Sequence, residues 1–234
     1  MKGLIALLIC LQVISPVQSE EEKTVVCIDP GHQTHANLGK EQIGPHSRLR
    51  KMKVSGGTQG KYTHVPESVV NLKVAKKLKK LLEKRGYKVV MTRTKQNVNV
   101  TNIKRAQIAN KAHAKIMVRI HCDGTYNTGV HGFFMCTPTL HNRFMSKKQA
   151  QKALKLSKLI AKSVKAKTKA KYRGIYKRDD LTATNWAKMP TALIEMGEMY
   201  NRKEDHLLVL NAYQMKMAEG MADGIDEKKK KKEK

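Results

Sequence analysis

Short apolar runs alternate with amphipathic stretches along most of the chain, and this alternation most constrains the fold. Residues 24–28, centred on Val25-Val26-Cys27-Ile28, read as a buried strand that Pro30-Gly31 ends abruptly. Further strands are expected at Lys88–Arg93, Lys115–Ile120, Val130–Cys136, near Arg173–Tyr176 and at Thr191–Glu195. Between them lie helical patterns. Pro66 to Arg85 has a proline in its first turn, Gly86 as a stop and a stripe of Val70, Val74, Leu78, Leu81 and Leu82. Asn102–Ala112 is the next helix. Ser146 opens a long basic one, with Gln149 completing a capping box and Ala150, Ala153, Leu154, Ile160, Ala161 and Val164 as its stripe. A last helix is expected from about Glu204 to Ile225, turning Leu207, Met217, Met221 and Ile225 inward. Strand–helix alternation of this kind implies an α/β fold: a single domain with a largely parallel sheet and helices on both faces. A length of 234 residues suits one such core, and no repeat or linker divides it.

In a parallel sheet the carboxyl ends of the strands share one edge, and α/β folds place their chemistry in the crevice there. His32 follows the first strand, His121 follows the strand Lys115–Ile120, and Glu195 ends the strand from Thr191. Glu67 falls in the first turn of its helix, where a carboxylate is favoured by the helix dipole. Two imidazoles and a carboxylate make a His₂Glu set that suits Zn2+ and leaves one position open. Zinc lowers the pKa of its bound water to about 7. A remaining carboxylate then serves as general base, and Glu195 is the strand-end carboxylate left over. Spacing by itself leaves a second reading open. There is no HExxH, the residues are dispersed, and nine histidines allow many combinations. A lone strand-end histidine is more often a hydrogen-bonded structural residue.

The ends of the chain read differently from its middle. Residues 1–19 carry a short basic start at Lys2, an apolar run from Leu4 to Ile14 too short to span a bilayer, and Val17-Gln18-Ser19 as a cleavage site, so a signal peptide is expected. Residues 227–234 form a lysine-rich tail expected to be disordered. The stretch 33–65, with Gly56-Gly57-Thr58-Gln59-Gly60, reads as a long loop, functional or mobile. Cys27, Cys122 and Cys136 lie in or beside strands without CxxC spacing and read as small buried hydrophobes. A formal net charge of +28 points to polyanionic surroundings or to a plain solvated lysine surface. No zinc finger, RNP motif or aromatic-interleaved basic strip supports nucleic-acid binding.

Six segments occur in one order: Ile28-Asp29-Pro30-Gly31-His32, Val65-Pro66-Glu67, Val89-Val90-Met91-Thr92-Arg93, Arg105-Ala106-Gln107-Ile108-Ala109-Asn110, Arg119-Ile120-His121-Cys122-Asp123-Gly124 and Pro190-Thr191-Ala192-Leu193-Ile194-Glu195-Met196-Gly197. Together they resemble the zinc-dependent N-acetylmuramoyl-L-alanine amidases, over about residues 24–226. The resemblance implies a six-stranded sheet, zinc held by His32, Glu67 and His121, and catalysis by Glu195. It implies hydrolysis of the amide between the lactyl group of N-acetylmuramic acid and L-alanine, with residues 20–226 as the catalytic domain. The 33–65 insertion and Asn185-Trp186 are similar to a clostridial-type subgroup. Cys122 and Asp123 depart from the family's pattern, and Asp123 reads as an acceptor that could tune the site. Glu198 stands where the family often has an aromatic, which makes it a rival base.

The expected protein is therefore a secreted, monomeric zinc amidase whose partner is peptidoglycan, held at the cell wall by anionic polymers and binding no nucleic acid. A non-catalytic wall-binding protein with the same fold and a related zinc peptidase are the alternatives.

Overall fold

The structure, a computed structural model, describes residues 23–230, with side chains through Lys228. The expected signal peptide and residues 231–234 lie outside the described residues. In chain order the elements are β1 (Val25–Pro30), β2 (Asn37–Gln42), β3 (Arg50–Val54), α1 (Glu67–Lys84), β4 (Lys88–Met91), α2 (Asn102–Lys111), β5 (Ile116–Asp123), β6 (Phe133–Thr137), α3 (Lys147–Thr168), β7 (Tyr172–Lys177), α4 (Thr182–Trp186), β8 (Thr191–Glu198), α5 (Arg202–Val209) and α6 (Asn211–Lys230).

Six strands form one sheet in the order β4-β1-β5-β8-β6-β7. β4, β1, β5 and β8 run parallel. β6 is antiparallel to β8 and parallel to β7, so the sheet is mostly parallel with one reversal. Successive side chains alternate between faces. One face carries Val26, Ile28, Val118, Ile120, Ala192 and Ile194 into the main core, against α1, α3 and α6. The other carries Cys27 and Met117 against Ala106 and Ala109 of α2 and Ala187 and Met189 after α4. On that second face the strands become polar toward their carboxyl ends: Cys27 is followed by Asp29, Met117 by Arg119 and His121, and Leu193 by Glu195. This gradient places a polar site over one face of the sheet.

Three expectations need correcting. Residues 33–65 are not a continuous loop, because they contain the antiparallel hairpin β2–β3. Its strands are mostly exposed and polar, so they lack the apolar run that marks a buried strand. The last helix is two helices that break at Leu210, where the backbone is extended (φ −72°, ψ 127°). The buried Gln214 amide donates to the Leu208 carbonyl freed by the break, at 2.8 Å. Finally, α6 runs past Asp226 to Lys230, four residues into the expected disordered tail. Ser163 of α3 donates to Glu227 at 3.5 Å and Lys162 lies 3.9 Å from the same carboxylate, which ties this last turn to the body.

Cys27, Cys122 and Cys136 are free and buried, as a packing role requires. No helix among the described residues is long and apolar enough to cross a membrane.

Candidate functional site

The corner after β1 brings the first histidine into place. His32 adopts a left-handed conformation (φ 57°) that is uncommon for a residue with a Cβ. Arg105 holds the corner by donating to the carbonyls of Pro30 (2.7 Å) and His32 (2.9 Å). Arg93 donates to the carbonyls of Pro30 (3.0 Å) and Gly31 (2.9 Å). A side chain at Gly31 would collide with the His121 ring, since a Cβ there would stand 2.1 Å from Cε1. Glycine is what lets the β1 corner press against the second imidazole.

Glu67 is the first residue of α1, and its backbone N–H donates to the Thr58 carbonyl at 2.9 Å. Its carboxylate is buried and accepts from Thr58 N (3.0 Å), Asn71 Nδ2 (3.1 Å) and Cys122 N (3.1 Å). The Gly56–Gly60 segment thus positions a site residue.

His32, Glu67 and His121 converge. His32 Nε2 lies 3.2 Å from Glu67 Oε2 and 3.2 Å from His121 Nδ1, which itself lies 3.1 Å from Glu67 Oε1. His32 Nδ1 stands 2.9 Å from the Ser55 carbonyl, an acceptor only, so that nitrogen carries the proton and Nε2 presents a lone pair. Atoms with lone pairs therefore crowd together with few hydrogens among them. All three donors lie within 4.8 Å of one another, a set that can hold a metal ion. The electrostatics agree. Burial raises the Glu67 carboxyl, but His32 and the His121 hydrogen bond outweigh it and hold the group well below the usual carboxylate range. Burial pushes His121 down to about 4, leaving it neutral. Burial also lowers His32, but Glu67 outweighs it and draws the imidazole upward, so a proton competes with a cation for Nε2.

Glu195 pairs in register with His121 across β5 and β8. Its Oε2 is buried and has no hydrogen-bond partner among the described residues. Burial, then Glu67 and Asp123, push its carboxyl well above the usual range, while Arg119 opposes them. Such a group carries its proton nearer neutral pH, as a group that takes and gives protons should. Neither His121 nor Glu195 lies beyond a strand end. Both strands run further, to Asp123 and Glu198, and the two side chains share the polar face. His32, His121 and Glu195 line a cavity of about 290 Å³, which Lys51, Met52 and Val54 of β3 also line.

Asp123 acts on the site through its charge, which raises Glu195, and hydrogen-bonds to neither histidine: it accepts from Gly124 N at 2.9 Å and shares a hydrogen bond with Glu198. One sequence expectation fails here. Glu198 is no rival base. It is buried, paired with Arg173 and accepting from Thr125 N at 3.2 Å, and it does not line the cavity. The Cys122 thiol is pushed up by burial and sits 3.7 Å from Asn71 Oδ1, outside the metal set.

The residues that sequence reasoning missed are the buried arginines. Asp29 pairs with Arg105 at 2.8 Å and Arg119 at 2.8 Å, and accepts from Thr92 at 2.5 Å. Period-two spacing was the available signal, since Arg119 shares a face with His121.

The family model for N-acetylmuramoyl-L-alanine amidase matches residues 26–227. The chain belongs to the N-acetylmuramoyl-L-alanine amidase family. An N-acetylmuramoyl-L-alanine amidase of Mycobacterium tuberculosis is 26% identical over 212 residues, covering 86% of this chain and 84% of the relative. The apo N-acetylmuramyl-L-alanine amidase of Mycobacterium abscessus superposes with a TM-score of 0.77 at 26% identity, covering 87% of this chain and 97% of that one. The N-acetylmuramoyl-L-alanine amidase of Clostridium difficile 630 gives 0.72 at 25% identity, over 90% and 98%. The protein is accordingly an amidase, a hydrolase acting on peptidoglycan, and the expected six-stranded α/β fold is the one it shares with these structures.

Proposed function

We propose that the protein is a secreted amidase in which His32, Glu67 and His121 hold zinc and Glu195 moves the protons of the reaction. The convergence of three lone-pair donors carries this reading, two of them lining one cavity with Glu195, whose Oε2 has no hydrogen-bond partner among the described residues. When bound, zinc supplies a Lewis acid that polarises a carbonyl and acidifies water. Glu195 accepts a proton from the water that attacks the lactyl carbonyl carbon. It then passes that proton to the alanine nitrogen as the C–N bond breaks. The products are a lactyl carboxylate and a peptide with a free amino group. Arg119, fixed by Asp29, supplies positive charge that favours the ionised form of Glu195, the form that accepts the first proton and that the second transfer restores. The +28 formal charge supports retention on anionic wall polymers, an attraction that salt screens.

Incubating the purified chain with peptidoglycan tests the reading. Stem peptides with an unblocked N-terminal alanine are expected, and a chelator should abolish them. Glu195→Gln should keep zinc, measured by metal analysis, and lose about 10²–10⁴-fold in turnover. Cleavage inside the stem peptide would assign a peptidase instead, and full activity of Glu195→Gln would remove it as the base.

A further inference from the structure

The rim of the cavity carries charges that the chemistry above does not use. Lys51 of β3 lies 2.8 Å from Asp180 Oδ2, and its ammonium also donates to the Asp180 carbonyl at 3.2 Å. Arg178 grips the same carboxylate side-on, through Nε (2.7 Å) and Nη2 (2.8 Å). All three residues line the cavity with His32 and Glu195.

Two cations thus share one anion, which leaves one positive charge over. A guanidinium has two edges that can bind a carboxylate in a fork. Asp180 occupies the Nε/Nη2 edge of Arg178. No partner for Nη1 is found among the described residues, so the Nη1/Nη2 edge stays available. The hairpin bearing Lys51 is no mobile flap. Trp186 Nε1 donates to the Gln42 carbonyl (3.0 Å), Asn185 Nδ2 to the Ile43 carbonyl (2.9 Å) and Asn102 Nδ2 to the Lys53 carbonyl (2.7 Å). Lys51 is thus anchored through its hairpin, and the Arg178 backbone N–H donates to the Thr137 carbonyl at 2.8 Å. Met52, Val54, Leu181 and Leu193 supply apolar lining in the same cavity, suited to methyl groups.

We infer that Arg178, held in place by Asp180 and assisted by Lys51, binds a free carboxylate of the stem peptide and selects substrates that carry one near the scissile amide. The inference rests on the proposed amidase reading and adds the feature of the peptide that the enzyme reads. Asp180 pre-orients the guanidinium, so less rotamer freedom is lost on binding.

The test uses two synthetic muramoyl-peptides that differ only in a free carboxylate or its carboxamide on the residue after L-alanine. The wild-type enzyme should prefer the carboxylate by about tenfold in kcat/KM, the scale of one charge-assisted hydrogen bond, and chiefly through KM. Arg178→Gln should collapse that ratio to within about twofold, and Lys51→Gln should lower it less. The corresponding product peptides, titrated calorimetrically, should show the same preference and the same loss in Arg178→Gln. Equal binding of the two peptides, or a preference that survives Arg178→Gln, overturns the inference. A carboxylate preference in binding with neither substrate cleaved would sustain it and count against the proposed reaction instead.

Discussion

Two guanidinium–carboxylate assemblies border the same cavity, one beneath it and one at its rim. Beneath, Asp29 is fully buried between Arg105 and Arg119, whose side chains are 1% and 5% exposed. At the rim, Asp180 lies between Lys51 and Arg178, and all three side chains are more than 40% exposed. The chemical groups are alike and the contact distances match, at 2.7–2.8 Å. Solvent separates their roles. Buried charges cannot lose a partner without leaving an uncompensated ion, whereas exposed ones exchange partners at little cost. The inner assembly is suited to fixing backbone, namely the corner that carries His32. The outer one is suited to holding a cation within reach of a ligand while Asp180 keeps it oriented.

The largest break in this comparison is Asp29→Asn. It leaves two buried guanidiniums without their anion and should cost about 3–5 kcal/mol, read as a lowered midpoint in denaturant unfolding. The effect has a pH signature. Burial raises the Asp29 carboxyl, but Arg105 and Arg119 outweigh it and hold the group below the ordinary range, so its stabilisation is complete above the unfolded value of about 3.9. It is lost as pH falls through the lower, folded value, so the gap between wild type and variant should narrow on acidification. A gap that stays constant down to strongly acid pH would contradict the assigned role.

Gly31→Ala sharpens the comparison at the junction between the inner network and the metal set. The added methyl meets the His121 ring, and overpacking of this kind costs about 1–3 kcal/mol. Zinc affinity, measured by competition with a chromogenic chelator, should fall as well, because the ring must shift to make room. Unchanged affinity would show that the ring can yield without disturbing its Nδ1.

Asp180→Asn should give the smallest response. Thermal stability should change by no more than about 1 kcal/mol, and that change should shrink at high salt. A loss comparable to that of Asp29→Asn would mean that the rim is structural after all.

What could be read without coordinates follows the same division between buried and exposed. The strands β1, β5 and β8 announced themselves as apolar runs, because a strand covered on both sides has no polar face to show. The helix stripes of α1 and α3 did so through their period, although Leu156 is buried where Leu154 was expected to be. The hairpin β2–β3 gave no such signal, since its residues face solvent and pair mainly with each other. Nothing in the sequence marked Arg93, Arg105 and Arg119 as buried, since arginine rarely is, yet each is buried as a whole residue.

The sequence by itself determined the α/β architecture, the four residues His32, Glu67, His121 and Glu195 as candidates, and the resemblance that joined them. Those depend on local patterns: apolar period, turn chemistry and residue type at element ends. Tertiary structure alone decided that the first three converge on one point, that Glu198 is engaged by Arg173, and that Asp29 gathers two arginines under the site. The physical reason is that a side chain's partners come from segments distant in sequence, and burial, which sets both the strength of a charge pair and the pKa of a carboxyl, exists only once those segments have packed.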